Sequence, residues 1–248
     1  MTVRAGSDAD VAVGAAGAAC EVIRRRYGGA VERFGKGDGD FATGVDLAAE
    51  RAIRGILRKV CPGDAVLGEE RGAEEGDGSR TWLVDPLCGT LNYAARTPLV
   101  AVDIALRDRD RVTTAVAADP LSGEVFWTGG GGAFIRRDGR DELLAPEPGD
   151  RLVDLNLDLP FPNAVSFRAA GLLSDDVFAR RFRPRVVSTT LALAWVAAGR
   201  RAAYVTDGHL RDFTSGIALC QAAGCVVTNL AAPASTSAAT PAYMASGT

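Results

Sequence analysis

Thr81-Trp82-Leu83-Val84-Asp85-Pro86-Leu87-Cys88-Gly89-Thr90-Leu91-Asn92-Tyr93 is the stretch on which the reading of this chain turns. Thr81 to Val84 is a short strand-like run, and it delivers Asp85 into the turn Pro86-Leu87-Cys88-Gly89-Thr90. The arrangement has a precedent upstream. Ala65 to Leu67, following the breaker Cys61-Pro62-Gly63, runs directly into Gly68-Glu69-Glu70. Two strand ends therefore hold acids on or beside tight turns, where a rigid element fixes a side chain without covering it.

Residues 46 to 60 place Ile53, Ile56, Leu57 and Val60 on one face at helical spacing, with Asp46 at the start and Glu50 and Arg54 four apart on what reads as the solvent face. Val11 to Cys20 follows Asp8 and Asp10 rather than a basic segment, which makes it an N-terminal helix and a poor signal peptide. Val102, Ile104 and Leu106 alternate, 112 to 117 is β-rich, Asp119-Pro120-Leu121-Ser122-Gly123 is a turn, and 124 to 128 resumes a strand, so an antiparallel meander is expected. Gly129 to Gly132 lacks the strand-then-helix context of a nucleotide loop and reads as a bend between strands. Residues 188 to 199 and 214 to 223 read as helices closed by Gly199 and Gly224, and 202 to 206 and 225 to 230 as strands. The Ala-, Ser-, Thr- and Pro-rich tail beyond Leu230 is expected to be loosely held, and residues 1 to 248 read as a single domain.

The chain of 248 residues is 47% hydrophobic and 24% charged, the balance of a globular protein rather than a disordered or fibrous one. A net charge of −3, spread without long like-charge runs, offers no electrostatic footprint for nucleic acid or an anionic membrane. No stretch approaches the ~18 to 20 continuous apolar residues that span a bilayer. Cys20, Cys61, Cys88, Cys220 and Cys225 are widely spaced and contain no C-x-x-C pair, so neither a disulfide framework nor a structural zinc site is indicated, and a cytoplasmic location fits. All but two of the 28 basic side chains are arginine, the exceptions being Lys36 and Lys59, a bias that suggests a GC-rich bacterial genome.

The chemistry lies in the acids at element boundaries: Asp46, Glu69, Glu70, Asp85 and Asp212. Mg²⁺ takes oxygen ligands in near-octahedral geometry and keeps several waters, so convergent carboxylates with a backbone carbonyl make a site that phosphate completes. Any one of these acids taken alone reads more readily as a solvated residue or a helix cap. The combination is more specific. Gly68-Glu69-Glu70 followed by Trp82 to Tyr93 resembles the signature of the inositol monophosphatase family, and the likeness extends to Lys36, Thr43-Gly44-Val45-Asp46, Ala197-Ala198-Gly199-Arg200, Asp212 and Ala222 to Thr228.

The resemblance implies a layered αβαβα sandwich of the inositol monophosphatase and fructose bisphosphatase type, acting as a homodimer. It implies that Glu69, Asp85, the Leu87 carbonyl and Asp212 bind Mg²⁺ or Mn²⁺, with Glu69, Asp46 and Thr90 serving catalysis by orienting and activating the attacking water. Lys36, Gly89 and Thr90 would meet substrate phosphate. The implied activity is hydrolysis of a small phosphorylated metabolite, a sugar, cyclitol or nucleoside phosphate of a specialised pathway, with no nucleic-acid or membrane partner.

Three departures bear on that expectation. Cys88 stands where the family has a second Asp shared with the second metal position, and sulfur is a soft donor where Mg²⁺ prefers oxygen. The readings left open are a phosphatase with a weakened or water-supplemented second metal position, a catalytically impaired binding or regulatory protein, and altered chemistry or a softer metal. Arg211 stands where the family usually has Trp, and it reads either as a bidentate phosphate contact or as a solvated side chain. Val187-Ser188, Ala192 and Val205 replace family residues around the pocket, which argues against inositol itself. His209, the only histidine, is read as a loop residue.

Overall fold

The computed structural model describes residues 6–37, 40–146, 151–158, 168–206, 213–229 and 243–246. Ser7 starts the first helix, α1 (Asp8–Arg26): its hydroxyl accepts the Asp10 N–H while the Asp10 carboxylate accepts the Ser7 N–H, satisfying two donors that a helix start leaves unpaired. The Ala-rich face of α1 packs on α2 (Gly44–Val60), which follows the hairpin of β1 (Arg33–Gly37) and β2 (Asp40–Thr43). Ile53 and Leu57 of α2 are fully buried, and burial of each such side chain is worth about 2 kcal/mol.

Both helices cover one face of an eight-stranded sheet. Its strands are β3 (Ala65–Gly68), β4 (Gly72–Glu74), β5 (Arg80–Cys88), β6 (Ala101–Asp108), β7 (Arg111–Ala118), β8 (Val125–Gly129), β9 (Gly132–Arg137) and β10 (Arg140–Leu143), with α3 (Thr90–Ala94) between β5 and β6. The order is β10-β9-β8-β7-β6-β5-β3-β4, with β3 and β5 parallel and every other pairing antiparallel. The expected meander is thus β6 to β8, and the four-glycine run is the turn joining β8 to β9.

A second sheet, in the order β12-β11-β13-β15-β14, is built from β11 (Leu152–Asn156), β12 (Arg183–Val186), β13 (Ala203–Thr206), β14 (Val226–Asn229) and β15 (Tyr243–Ser246). Helices α5 (Leu191–Ala197) and α6 (Thr214–Ala222) fill the space between the sheets, sharing a core with Phe126 and Ile135 on one side and Tyr204 on the other. The outer face of β11 and β13 is closed by a 3₁₀ turn over Ala169–Ser174 and by α4 (Asp176–Arg181). The layering is helix, sheet, helix, sheet, helix, as the family resemblance implies.

The structure corrects four expectations. Strand β5 does not end at Val84 but runs on to Cys88, because a bulge at Pro86 and Leu87 absorbs the proline without ending the pairing with β6. Glu50 and Arg54 are buried, not solvent-facing: the β3–β4 turn packs over that side of α2 and takes both into hydrogen bonds. The helix expected over 188 to 199 is confined to α5, and Gly199 follows it at φ +69°. Within the tail expected to be loose, β15 pairs with β13 on one side and β14 on the other, so residues 243–246 are held in the sheet.

Candidate active site

The site is assembled where the ends of β3 and β5 meet the start of α2. Thr43 caps α2, and its hydroxyl accepts the Val45 and Asp46 N–H groups while donating to the Asp46 carboxylate. Asp46 Oδ2 also accepts the Thr43 N–H at 2.9 Å, and Oδ1 accepts the Thr90 hydroxyl at 2.9 Å. The cap of α2 and the Asp46–Thr90 pair are therefore one network. Burial raises the Asp46 pKa, and the hydrogen bonds from Thr43 and Thr90 oppose that rise by stabilising the carboxylate.

Thr90 is held by the turn before it. Gly89 has φ +88°, and a Cβ there would lie 2.6 Å from the Leu99 carbonyl, so both conformation and space require glycine. Asn92 pins the turn by donating to the Leu99 and Ser188 carbonyls. The Thr90 hydroxyl also lies 3.2 Å from the Leu87 carbonyl, and the Leu87 N–H donates to Asp85 Oδ1 at 3.1 Å. Asp46, Thr90, Leu87 and Asp85 thus form one connected path.

Glu69 is placed by its own N–H, which donates to the Val84 carbonyl, and Lys36 of the β1–β2 hairpin bridges Glu69 and Glu70 at 2.8 and 2.7 Å. Burial opposes the Lys36 charge, yet the two carboxylates outweigh it and hold the ammonium above the ordinary lysine range. The ammonium expected to meet phosphate is thus engaged by carboxylates. Glu50 fixes the same turn by accepting the Glu70 N–H at 2.8 Å, and Gly68 leaves room for it, since a Cβ at 68 would lie 2.2 Å from Glu50 Oε1.

The bulge in β5 decides the remaining geometry. Asp85 opposes Asp103 on β6 while Cys88 opposes Ala101, so three steps on one strand match two on the other and Asp85, Cys88 and Asp103 share a face. One ligand atom from each lies within 4.8 Å of the others. Burial, then the charges of Glu69 and Asp103, raise the Asp85 pKa well above the usual carboxylate range. Burial likewise lifts the Cys88 thiol, reinforced by the Asp85 and Asp103 charges, so the thiol is protonated at neutral pH. Asp103 is pushed up to about 6 by burial, against the Ser215 and Thr190 hydroxyls that donate to it.

The structure brings Lys36, Asp46, Glu69, Asp85, Leu87, Cys88, Gly89 and Thr90 into one region. Asp212, Arg211 and His209 lie outside the described residues. The sequence reading gives Glu50 only a place on the solvent face and gives Asp103 no role. Asp103 carried a signal: an acid inside the apolar run Leu99 to Leu106, at a position where β alternation points away from Val102 and Ile104. The donor set fits a hard divalent cation, since carboxylates of Glu69, Asp85 and Asp103 and the Leu87 carbonyl are oxygens and Cys88 alone offers sulfur.

A sequence model described as the inositol monophosphatase family matches residues 7–247. The chain is 35% identical over 212 residues to the inositol-1-monophosphatase of Caulobacter vibrioides, covering 79% of this chain and 78% of the relative. It is 36% identical over 231 residues to the Nus factor SuhB of Escherichia coli K12, covering 89% and 84%. Among solved structures, the extragenic suppressor protein suhB of Bartonella henselae aligns with a TM-score of 0.77 at 28% identity, covering 89% of this chain and 86% of that one. The IMPase of Thermotoga maritima aligns with a TM-score of 0.79 at 23% identity, covering 96% and 91%, a likeness of fold.

Proposed function

Starting from the premise that this chain belongs to the inositol monophosphatase family, we propose that it is a metal-dependent phosphatase that hydrolyses a small phosphomonoester, a sugar, cyclitol or nucleoside phosphate, with Mg²⁺ or Mn²⁺ as cofactor. The observation that carries the reading is the Thr90–Asp46 hydrogen bond, set beside the Leu87 carbonyl and joined through Leu87 to Asp85. Glu69, Asp85 and the Leu87 carbonyl would hold a cation, and Asp212 is assigned to it by the sequence motif. Bound divalent cations supply a water of lowered pKa and neutralise charge on the phosphoryl and leaving oxygens.

The chain's own groups position and move the proton. With its hydrogen donated to Asp46, the Thr90 hydroxyl presents a lone pair to the attacking water. As the water oxygen bonds phosphorus, its proton passes to Thr90 Oγ1 and the Thr90 proton to Asp46 Oδ1. The phosphorus–ester oxygen bond breaks on the opposite side, and the leaving oxygen takes a proton from solvent. Phosphate oxygens are received by the Gly89 and Thr90 N–H groups, at a helix start where backbone donors have no intrahelical partner. Lys36 keeps Glu69 and Glu70 from repelling the substrate. We place the protein in the cytoplasm as a homodimer, which light scattering on the purified protein tests.

The test is phosphate release from a panel of phosphorylated metabolites at several Mg²⁺ and Mn²⁺ concentrations. Cation-dependent turnover of one class supports the reading, and no release from any member defeats it. A second reading, a family member that binds without turnover, is favoured by Cys88 and by the 36% identity to a relative named a Nus factor. Metabolite binding without release under the same conditions selects it.

A further inference from the structure

Asp103 is a buried acid, the third residue of β6, and its cross-strand partner is another acid, Asp85. Like charges directly opposite one another destabilise a strand pair, and a buried carboxylate is costly unless a charge of opposite sign meets it. Among the described residues, what meets the Asp103 carboxylate is a pair of hydroxyls: Thr190 donates to Oδ2 and Ser215 to Oδ1. Each oxygen keeps a lone pair, and the two hydroxyls, brought in by the starts of α5 and α6, fix the plane of the carboxylate. That is how metal-ligating carboxylates are oriented by the groups behind them.

The spacing suits a shared ion. The ligand atoms of Asp85, Cys88 and Asp103 lie within 4.8 Å of one another, and opposite ligands of one oxygen-bound cation stand about 4 to 5 Å apart. Of the three, Cys88 contributes the soft donor, and its sulfur already accepts the Thr190 N–H at 3.4 Å. We propose that Asp103 is a ligand of the divalent cation at this site, supplying from β6 the second carboxylate that position 88 does not. The inference rests on the metal-dependent reading above and extends it to a residue outside the sequence motif. It turns the exchange of acid for thiol at 88 from a loss of charge into a relocation of charge to the next strand.

Mn²⁺ titrations followed by electron paramagnetic resonance, with thermal melts of the metal-free proteins, test it. Asp103→Asn should weaken Mn²⁺ binding at least tenfold while the metal-free protein still melts cooperatively. Adding Cys88→Asp to that variant should restore affinity to within about threefold of the parent, because residues 88 and 103 share one face. Unchanged affinity in Asp103→Asn overturns the inference, and so does a loss that Cys88→Asp does not repair, which would mark Asp103 as a strut between β6, α5 and α6. Anomalous diffraction from Mn²⁺-soaked crystals of the unaltered protein gives an answer independent of any variant's folding. An Asp103 oxygen within about 2.5 Å of the ion is expected, and an ion bound at Asp85 but away from Asp103 overturns the inference alone. A parent that binds no Mn²⁺ overturns it together with the metal-dependent reading.

Discussion

Two groups of buried and half-buried acids flank β3 and β5, and they are neutralised in opposite ways. On the α2 side, Glu50 is fully buried and accepts from Arg54 at 2.7 Å, while Glu74 is bound by both Arg54 and Arg58. On the β6 side, Asp85 accepts a backbone N–H and Asp103 accepts two hydroxyls. The first group is complete as folded, because each carboxylate meets a guanidinium in good geometry. The second holds like charges against one another, and Asp85 and Asp103 are both pushed toward protonation. Burial therefore does not distinguish a structural acid from a ligand. The sign of what faces it does.

The widest split between the groups should come from Asp85→Asn. Cation binding should fall at least 100-fold and phosphate release about 10³-fold, some 4 kcal/mol of lost transition-state stabilisation. The metal-free variant should melt no lower than the parent, since a repelling charge has gone. Calorimetric titration with Mg²⁺ and a thermal melt read both. Unchanged Mg²⁺ affinity would remove Asp85 from the site.

Arg54→Met inverts that pattern. It leaves the Glu50 carboxylate buried without its guanidinium, a change that costs about 3 kcal/mol of folding free energy. Urea denaturation should show it, with Mg²⁺ affinity staying within a few-fold of the parent. A variant as stable as the parent would show that the α2 group is not the structural one.

Much of this was readable beforehand. Strand ends at Gly68-Glu69 and Asp85, a capped helix at Thr43 and a glycine before Thr90 are local features, and local chemistry carries their signal. The burial of Glu50 and Arg54 is not legible in sequence, because an i, i+4 ion pair looks the same on a solvent face and under the β3–β4 turn, and only the tertiary packing decides. Asp103 is hidden in sequence for a related reason. The alternation of Val102, Ile104 and Leu106 defines one buried face, and it took the α5–α6 layer to bury the other. The bulge that turns Cys88 toward Asp85 leaves only a proline as its mark in sequence.

Thr90→Ala probes the junction between the cap of α2 and the cation side of the site, where the proton path is proposed to run. We expect kcat to fall about 10²-fold, near 2.7 kcal/mol, with KM little changed, because the lost oxygen acts mainly in the transition state. Thr90→Ser should recover most of the rate, since it keeps the hydroxyl that donates to Asp46 Oδ1. Equal kcat in Thr90→Ala and the parent would take Thr90 out of the reaction.

The finest test of the contrast is a titration of metal-free protein. Asp103 has a folded pKa of about 6 against an ordinary 3.8, so between those values the folded state holds more protons than the unfolded one. Stability contributed by this group is therefore present at low pH and lost as pH rises through about 6. Moving from pH 7 down to 5.5 should stabilise the metal-free protein through Asp103 alone by about 0.8 kcal/mol, worth about 2 °C in melting temperature. Glu74 responds with the opposite sign: its hydrogen bond to Arg58 holds its pKa below 4.5, so its contribution is intact down to that pH and lost only on further acidification. Differential scanning calorimetry in a chelator should show the melting temperature rising from pH 7 to 5.5 and then falling below about pH 4. With saturating Mg²⁺ the first limb should reverse, since protons and cation compete for the same oxygens. Asp103→Asn should make that limb shallower, leaving the part contributed by the raised Asp85, and leave the acid limb as it was. A parent whose melting temperature falls steadily from pH 7 downward in the chelator would mean that Asp103 is already neutralised in the fold, and the two groups would then be alike.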